Sequence, residues 1–167
     1  MIEMFKNLYI GTVDEYTECV RYMRDFKTVI AAKEPYHREY VGYKTRGCPK
    51  DSPQYYIAEM ENGIICNLVD ADKKEFIPDE IMIPAVNFIR KSLAESKRVF
   101  VCCNQGKSRS PMIAMLSMAN TSPLNSFSFE EAHEKVVFSF PFVETGKGIY
   151  EYAKENWEKF KKDNISL

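Results

Sequence analysis

At 167 residues, with 45% apolar and 28% charged side chains, the chain has the length and composition of one folded domain that buries its own core, and disorder is excluded. The charges nearly cancel, 23 Lys and Arg against 24 Asp and Glu, so no long-range field gathers nucleic acid or acidic lipid, and any anion must be held by a local site. No stretch approaches about 18 uninterrupted apolar residues and the N-terminus carries no basic flank before an apolar run, which predicts a cytoplasmic protein with no membrane insertion and no general nucleic-acid binding.

The first predicted elements are a strand at Leu8-Tyr9-Ile10 and a helix whose apolar residues Val13, Tyr16, Val20 and Met23 share a face, opened by a capping box from Thr12 to Glu15. Thr28 to Ala32 is a short apolar run of the kind buried on both sides in a parallel sheet. From Lys33 to about Gln54 the pattern dissolves into Tyr, charge, Gly and Pro, which predicts a long solvent-facing excursion, either a substrate rim or a plain insertion. His37 and Arg38 read as solvated residues of that loop, with a place on the pocket rim as the alternative. Ile64 to Val69 is a second buried strand, followed by an acidic turn from Asp70 to Phe76. Met82, Ala85, Val86, Ile89 and Leu93 have helical spacing, with Pro84 tolerable only near the helix start. Arg98 to Cys102 is the clearest strand, and Met112, Met115, Leu116 and Ala119 mark the apolar face of the helix after it. Two more helices close the chain. One is opened by a capping box from Ser128 to Glu131 and carries His133 at the surface; the other presents Ile149, Tyr152, Ala153 and Phe160. Strands alternating with helices, without repeats or a dividing linker, predict a single α/β domain over residues 1–167: one mostly parallel sheet flanked by helices.

Residues 102 to 111 read Cys-Cys-Asn-Gln-Gly-Lys-Ser-Arg-Ser-Pro, directly between that clearest strand and its helix. A loop entering a helix N-terminus turns successive backbone N–H groups toward one spot and adds the positive end of the helix dipole, so it suits an oxyanion. Asn104, Gln105, Gly106, Lys107, Ser108 and Arg109 are the candidate phosphate cradle. Gly106 turns the backbone without a Cβ penalty, and Arg109 offers a fork of donors to two oxygens at once. A thiol beneath the loop feels the same donors, all of which favour its ionised form, so Cys103 is the candidate nucleophile. Ser110 is placed to donate to the departing sulfur, and Lys107 reads as an exposed lysine. A carboxylic acid must protonate the leaving oxygen, for which Asp70 and Asp72 are the candidates, and no metal or other cofactor is required.

The remaining cysteines, Cys19, Cys48, Cys66 and Cys102, form no CxxC pair, which argues against structural zinc and for reduced thiols. Cys66 reads as a buried strand residue, with a redox partnership to Cys103 as the sharper alternative.

Cys103, five intervening residues, Arg109, then Ser110 and Pro111 resembles the signature of the dual-specificity phosphatases, within the cysteine-dependent protein tyrosine phosphatase superfamily. Asn7 to Gly11, Ile30-Ala31-Ala32, Asp72 to Phe76, and Ser128 through Gly148 resemble further segments of that family, so the likeness spans most of the chain. It implies hydrolysis of phosphate monoesters through a phosphocysteine: phosphotyrosine, then phosphoserine or phosphothreonine, in a phosphorylated protein. By resemblance the general acid is Asp72. One departure is plain. The family carries His immediately before the nucleophile, where this chain has Cys102, and that histidine helps order the loop and keep the thiolate. A phosphate-binding module with weakened turnover is therefore a second expectation, beside a phosphatase acting on a phosphoinositide or an RNA 5'-phosphate. Sulfur transfer of the rhodanese type fits the Arg109-Ser110-Pro111 continuation poorly.

Overall fold

The computed structural model describes residues 1–167. Six strands, β1 (Ile2–Phe5), β2 (Leu8–Thr12), β3 (Phe26–Ile30), β4 (Ile57–Met60), β5 (Gly63–Cys66) and β6 (Arg98–Cys103), form one sheet in the order β1-β2-β6-β3-β5-β4. The inner four run parallel, while β1 and β4 pair antiparallel at the two edges. The expected α/β architecture, a mostly parallel sheet flanked by helices, is present. Both edge strands lie outside the predicted set. β1 folds back on β2 through Asn7, which takes a positive φ of 63° that asparagine tolerates better than most residues.

Six helices complete the fold: α1 (Val13–Glu18), α2 (Arg38–Val41), α3 (Asp79–Ala94), α4 (Arg109–Ser117), α5 (Phe129–Ser139) and α6 (Lys147–Phe160). Both predicted capping boxes form, Thr12 with Glu15 and Ser128 with Glu131. The first helix is shorter than its apolar spacing predicted: after Glu18 the chain tightens into a turn over Val20–Tyr22, and Met23 is exposed. Pro84 sits at the sixth position of α3, so the lost N–H falls near the start of a long helix. Every residue of α4 is buried, and not only its predicted face, because β2, β6, α3, α5 and α6 surround it. Arg90 of α3 ties two helix ends together, donating from Nε to Ser117 O at 2.9 Å and from Nη1 to Lys162 O at 2.9 Å. Carbonyls at helix C-termini lack intrahelical donors, so the guanidinium satisfies them and complements the dipole.

Alternation along β6 decides the site. Val99, Val101 and Cys103 face the large core under α3 to α6, while Phe100 and Cys102 face a smaller cluster on the other side, with Val13, Phe26 and Ile65. A one-residue slip would exchange the two cysteines between faces.

The stretch after β3 is mostly exposed, as predicted, but it is more ordered than an irregular loop and buries His37, Tyr43 and Cys48. A wide helical turn over Lys33–His37 runs into α2, which Gly42 ends at φ 83°. His37 is fully buried. Its Nε2–H donates to Gln54 O at 2.8 Å, which leaves Nδ1 to accept from the Tyr43 hydroxyl at 3.4 Å. The imidazole is thus an internal strut, neither solvated nor on a rim. Burial holds its pKa below the ordinary value of 6.5. Folding favours the neutral ring, so the contribution of His37 is whole above the unfolded pKa of about 6.5 and is lost as pH falls toward the lower folded value. Urea unfolding should show stability declining below about pH 6.5, and His37→Gln should shrink that decline. His133, half-buried between the rings of Phe129 and Tyr150 rather than at the surface, is shifted the same way and keeps its share in that variant. His37→Ala at pH 7.5 should cost about 1–3 kcal/mol through the unpaired Gln54 carbonyl. Identical pH profiles for wild type and His37→Gln would rule the strut out.

Candidate active site

Parallel strands leave their carboxyl ends on one side of a sheet, and connections there form a crevice. At that edge the chain runs from β6 into α4 through Asn104 to Ser108. Gly106 takes φ 69°, and a Cβ there would stand 3.0 Å from the backbone of Gly11, so the loop lies hard against the end of β2. The backbone N–H groups of Gln105, Gly106, Lys107 and Ser108 donate to no protein acceptor. Four free amides in succession at a helix entrance are the arrangement expected of an anion cradle.

Cys103 is buried beneath this loop, its Sγ 3.3 Å from Ser110 Oγ on the first turn of α4. Arg109, also buried, has one edge of its guanidinium consumed by the protein. Nη1 donates to Ala31 O at 2.8 Å and Leu68 O at 3.0 Å, and Nη2 to Asn104 Oδ1 at 2.7 Å. Its Nε–H, in contrast, is buried without an acceptor. Buried donors are nearly always paired, so an orphan beside four free amides marks a place for a ligand oxygen. Asn104 is held in turn by donating to Glu34 O at 2.9 Å.

The two candidate acids stand differently. Asp70 reaches the loop: one oxygen accepts from Ser108 Oγ at 3.1 Å, and the other lies 3.9 Å from Arg109 Nε. Asp72 is exposed two residues further along and engages no loop side chain. Ser108 Oγ also accepts from Gly146 N at 3.0 Å, and a Cβ on Gly146 would fall 2.7 Å from Asp70 Oδ1. Gly146 is therefore part of the site, although its sequence context gave no sign beyond the Gly-Lys-Gly run at the start of α6. Lys107 turns outward, with Nζ 3.2 Å from Glu144 Oε1, while its carbonyl accepts from Glu144 N at 3.0 Å.

Cys102, on the opposite face, is buried, and burial pushes its thiol well up, with the neighbouring Cys103 and Cys66 adding to the effect. The Cys66 thiol is pushed up to about 12 by burial, so both remain protonated. Cys66 lies level with Cys103 but two strands away, across β3. At about 4.8 Å per strand the separation is about 10 Å, beyond the reach of a disulfide, and the redox partnership is ruled out in this geometry.

With strand order, loop and buried cysteine in place, the fold is that of the dual-specificity phosphatases. The structure of DUSP15 aligns with a TM-score of 0.65 at 14% identity, covering 94% of this chain and 86% of that one. The human tyrosine phosphatase-like serine/threonine/tyrosine-interacting protein gives 0.63 at 15%, with 92% of each chain covered. The PTP-2 phosphatase of Cydia pomonella gives 0.63 at 18%, covering 92% and 88%. No family model matches the sequence, and no curated protein matches it either.

Gly106→Ala tests the loop as an anion site. The strained φ and the contact with Gly11 should weaken vanadate binding by about tenfold, read by isothermal titration calorimetry, with the far-ultraviolet circular dichroism unchanged. Unaltered vanadate affinity would show that anions bind elsewhere.

Proposed function

We propose that this chain is a cysteine-dependent phosphatase acting on phosphate monoesters, phosphotyrosine first and phosphoserine or phosphothreonine with it. The carrying observation is the orphaned, buried Nε–H of Arg109 beside the free amides of Gln105 to Ser108, above a cysteine buried at the strand end. An oxyanion with several equatorial oxygens satisfies all these donors at once. The Cys103 thiolate attacks phosphorus, the S–P bond forms, and the bond from phosphorus to the leaving oxygen breaks. Arg109 and the amides take the charge that spreads over the equatorial oxygens. Water, giving its proton to the carboxylate that served as the acid, then attacks phosphorus; the S–P bond breaks, phosphate is released, and Ser110 donates to the sulfur as it leaves.

The leaving oxygen needs a proton. We assign it to Asp72, because both oxygens of Asp70 are turned to Ser108 and Arg109, whereas Asp72 is unengaged and on the same connection. Asp70 then acts as a positioning residue that fixes Ser108 and orients Arg109. A second reading, a phosphate-binding module with little turnover, is favoured by Cys102 and by the phosphatase-like interacting protein among the similar folds.

Hydrolysis of an aryl phosphate without metal separates the two readings. Wild type should turn over, and Cys103→Ser should lose turnover while still binding vanadate; full activity in that variant would overturn the mechanism. Arg109→Lys keeps the charge but loses the fork, and should lower kcat/KM by at least about a hundredfold. Asp72→Asn should slow phosphotyrosine hydrolysis by about a hundredfold or more and para-nitrophenyl phosphate much less, because nitrophenolate departs almost unaided. If Asp70→Asn gives that leaving-group pattern and Asp72→Asn does not, the acid is Asp70.

A further inference from the structure

The stretch between β3 and β4 supplies two backbone carbonyls to the site, and it also walls a cleft of about 390 Å³. Its lining includes Cys48, Tyr55 and Tyr56 from that stretch, and Val69, Phe76 and Ile81 from the connection after β5. The volume suits a large side chain with some backbone on either side. Phe76 is 64% exposed, and Tyr56 and Val69 are each 37% exposed, so three apolar side chains stand open around one cleft.

The cleft borders the candidate active site through one shared stretch of backbone. Asn67 and Val69, both in the lining, flank Leu68, whose carbonyl holds Arg109. Lys33, also in the lining, donates from its backbone N–H to that same carbonyl.

The rim is basic. Arg46 and Lys50 bracket Gly47 and Cys48 of the lining, with Lys44 just before them, and all three cations are exposed. None forms an ion pair, unlike Lys33 and Arg38, which both pair with Glu34. The chain as a whole carries a net charge of -1, so this is a local asymmetry.

We propose that the cleft is a substrate-docking site for a phosphorylated polypeptide. An apolar side chain within a few residues of the phosphoresidue enters between Tyr56 and Phe76, and acidic residues of the same segment meet Lys44, Arg46 and Lys50. The proposal rests on the phosphatase reading. A polypeptide is preferred over a lipid headgroup because the opening combines an apolar socket with separated cations. A headgroup offers anionic groups but no side chain for the socket.

The test scans one leucine and one aspartate through each of three positions on either side of phosphotyrosine in a Gly/Ser peptide, with para-nitrophenyl phosphate as the reference substrate. One leucine position should raise kcat/KM by about tenfold over the plain peptide, and Tyr56→Ala should abolish that gain with the reference substrate within about twofold of wild type. Arg46→Glu should remove the advantage of aspartate alone. Peptide rates insensitive to sequence, or variants that lower both substrates equally, would overturn the proposal. So would hydrolysis of a phosphoinositide in phosphatidylcholine vesicles that falls in Tyr56→Ala while peptide rates do not. If wild type fails to hydrolyse even the reference substrate, the phosphatase reading has failed by itself. Fluorescence anisotropy of the same labelled peptides with Cys103→Ser then tests the cleft alone: affinity that follows the leucine and is lost in the Cys103→Ser, Tyr56→Ala double variant supports it, and sequence-blind binding sinks it.

Discussion

A buried guanidinium is costly unless acceptors surround it, and much of the carboxyl edge of the sheet is arranged around Arg109. Its Nη atoms reach the carbonyls of Ala31 and Leu68, which follow β3 and β5, and the side chain of Asn104, which follows β6. One side chain therefore ties three neighbouring parallel strands together where they end. Each charge-assisted bond contributes about 1.5–3 kcal/mol against the desolvation of the ion, so the gain is mainly one of geometry rather than of stability. With three hydrogen bonds fixing the plane of the guanidinium, the remaining Nε–H has a set direction. Preorganised donors of this kind need no rearrangement when charge develops on a bound anion.

That arrangement was partly legible in the sequence. The spacing from Cys103 to Arg109, the strand before it and the helix after it identified the loop, because a buried strand feeding an amphipathic helix leaves a strong periodic trace. The acceptors on Ala31 and Leu68 left none, since a backbone carbonyl carries no residue signature. Gly146 was invisible for a related reason: only in the fold does its missing Cβ make room for Asp70 and Ser108. The edge strands β1 and β4 escaped because each is four residues long and mixes exposed with buried positions, too short for alternation to register. His37 was misread because a polar residue among Tyr, Pro and charge looks solvated; its burial depends on the carbonyl of Gln54, 17 residues away.

The order of the 33–56 stretch bears on how the site is bounded. Lys33 Nζ donates to Arg46 O at 3.0 Å, Tyr40 Oη to Glu59 O at 2.7 Å, and Asn67 Nδ2 to Tyr55 O at 2.7 Å. These bonds run from the stretch to itself, to β4 and to the connection after β5. A segment without periodicity is thus held by side chain to backbone bonds instead of a ladder, and it forms a fixed wall next to the loop.

The same logic bears on Cys102. In the family that this chain resembles, a histidine at that place supports the loop from the strand side. Here the thiol is turned into the smaller cluster, and burial keeps it protonated, so it adds neither a charge nor a strong donor. Support for the loop comes from the helix side and from β2. Asp70 and Gly146 hold Ser108, Glu144 holds the Lys107 carbonyl, and Gly11 backs Gly106. None of these contacts passes through residue 102. The cradle for the anion is therefore built independently of the missing imidazole, while Cys103 has only Ser110 as a side-chain hydrogen-bond partner. In the proposed mechanism, the exchange of His for Cys therefore falls on the reactivity of the sulfur and leaves the contacts that shape the loop in place, which separates binding from turnover within one short segment.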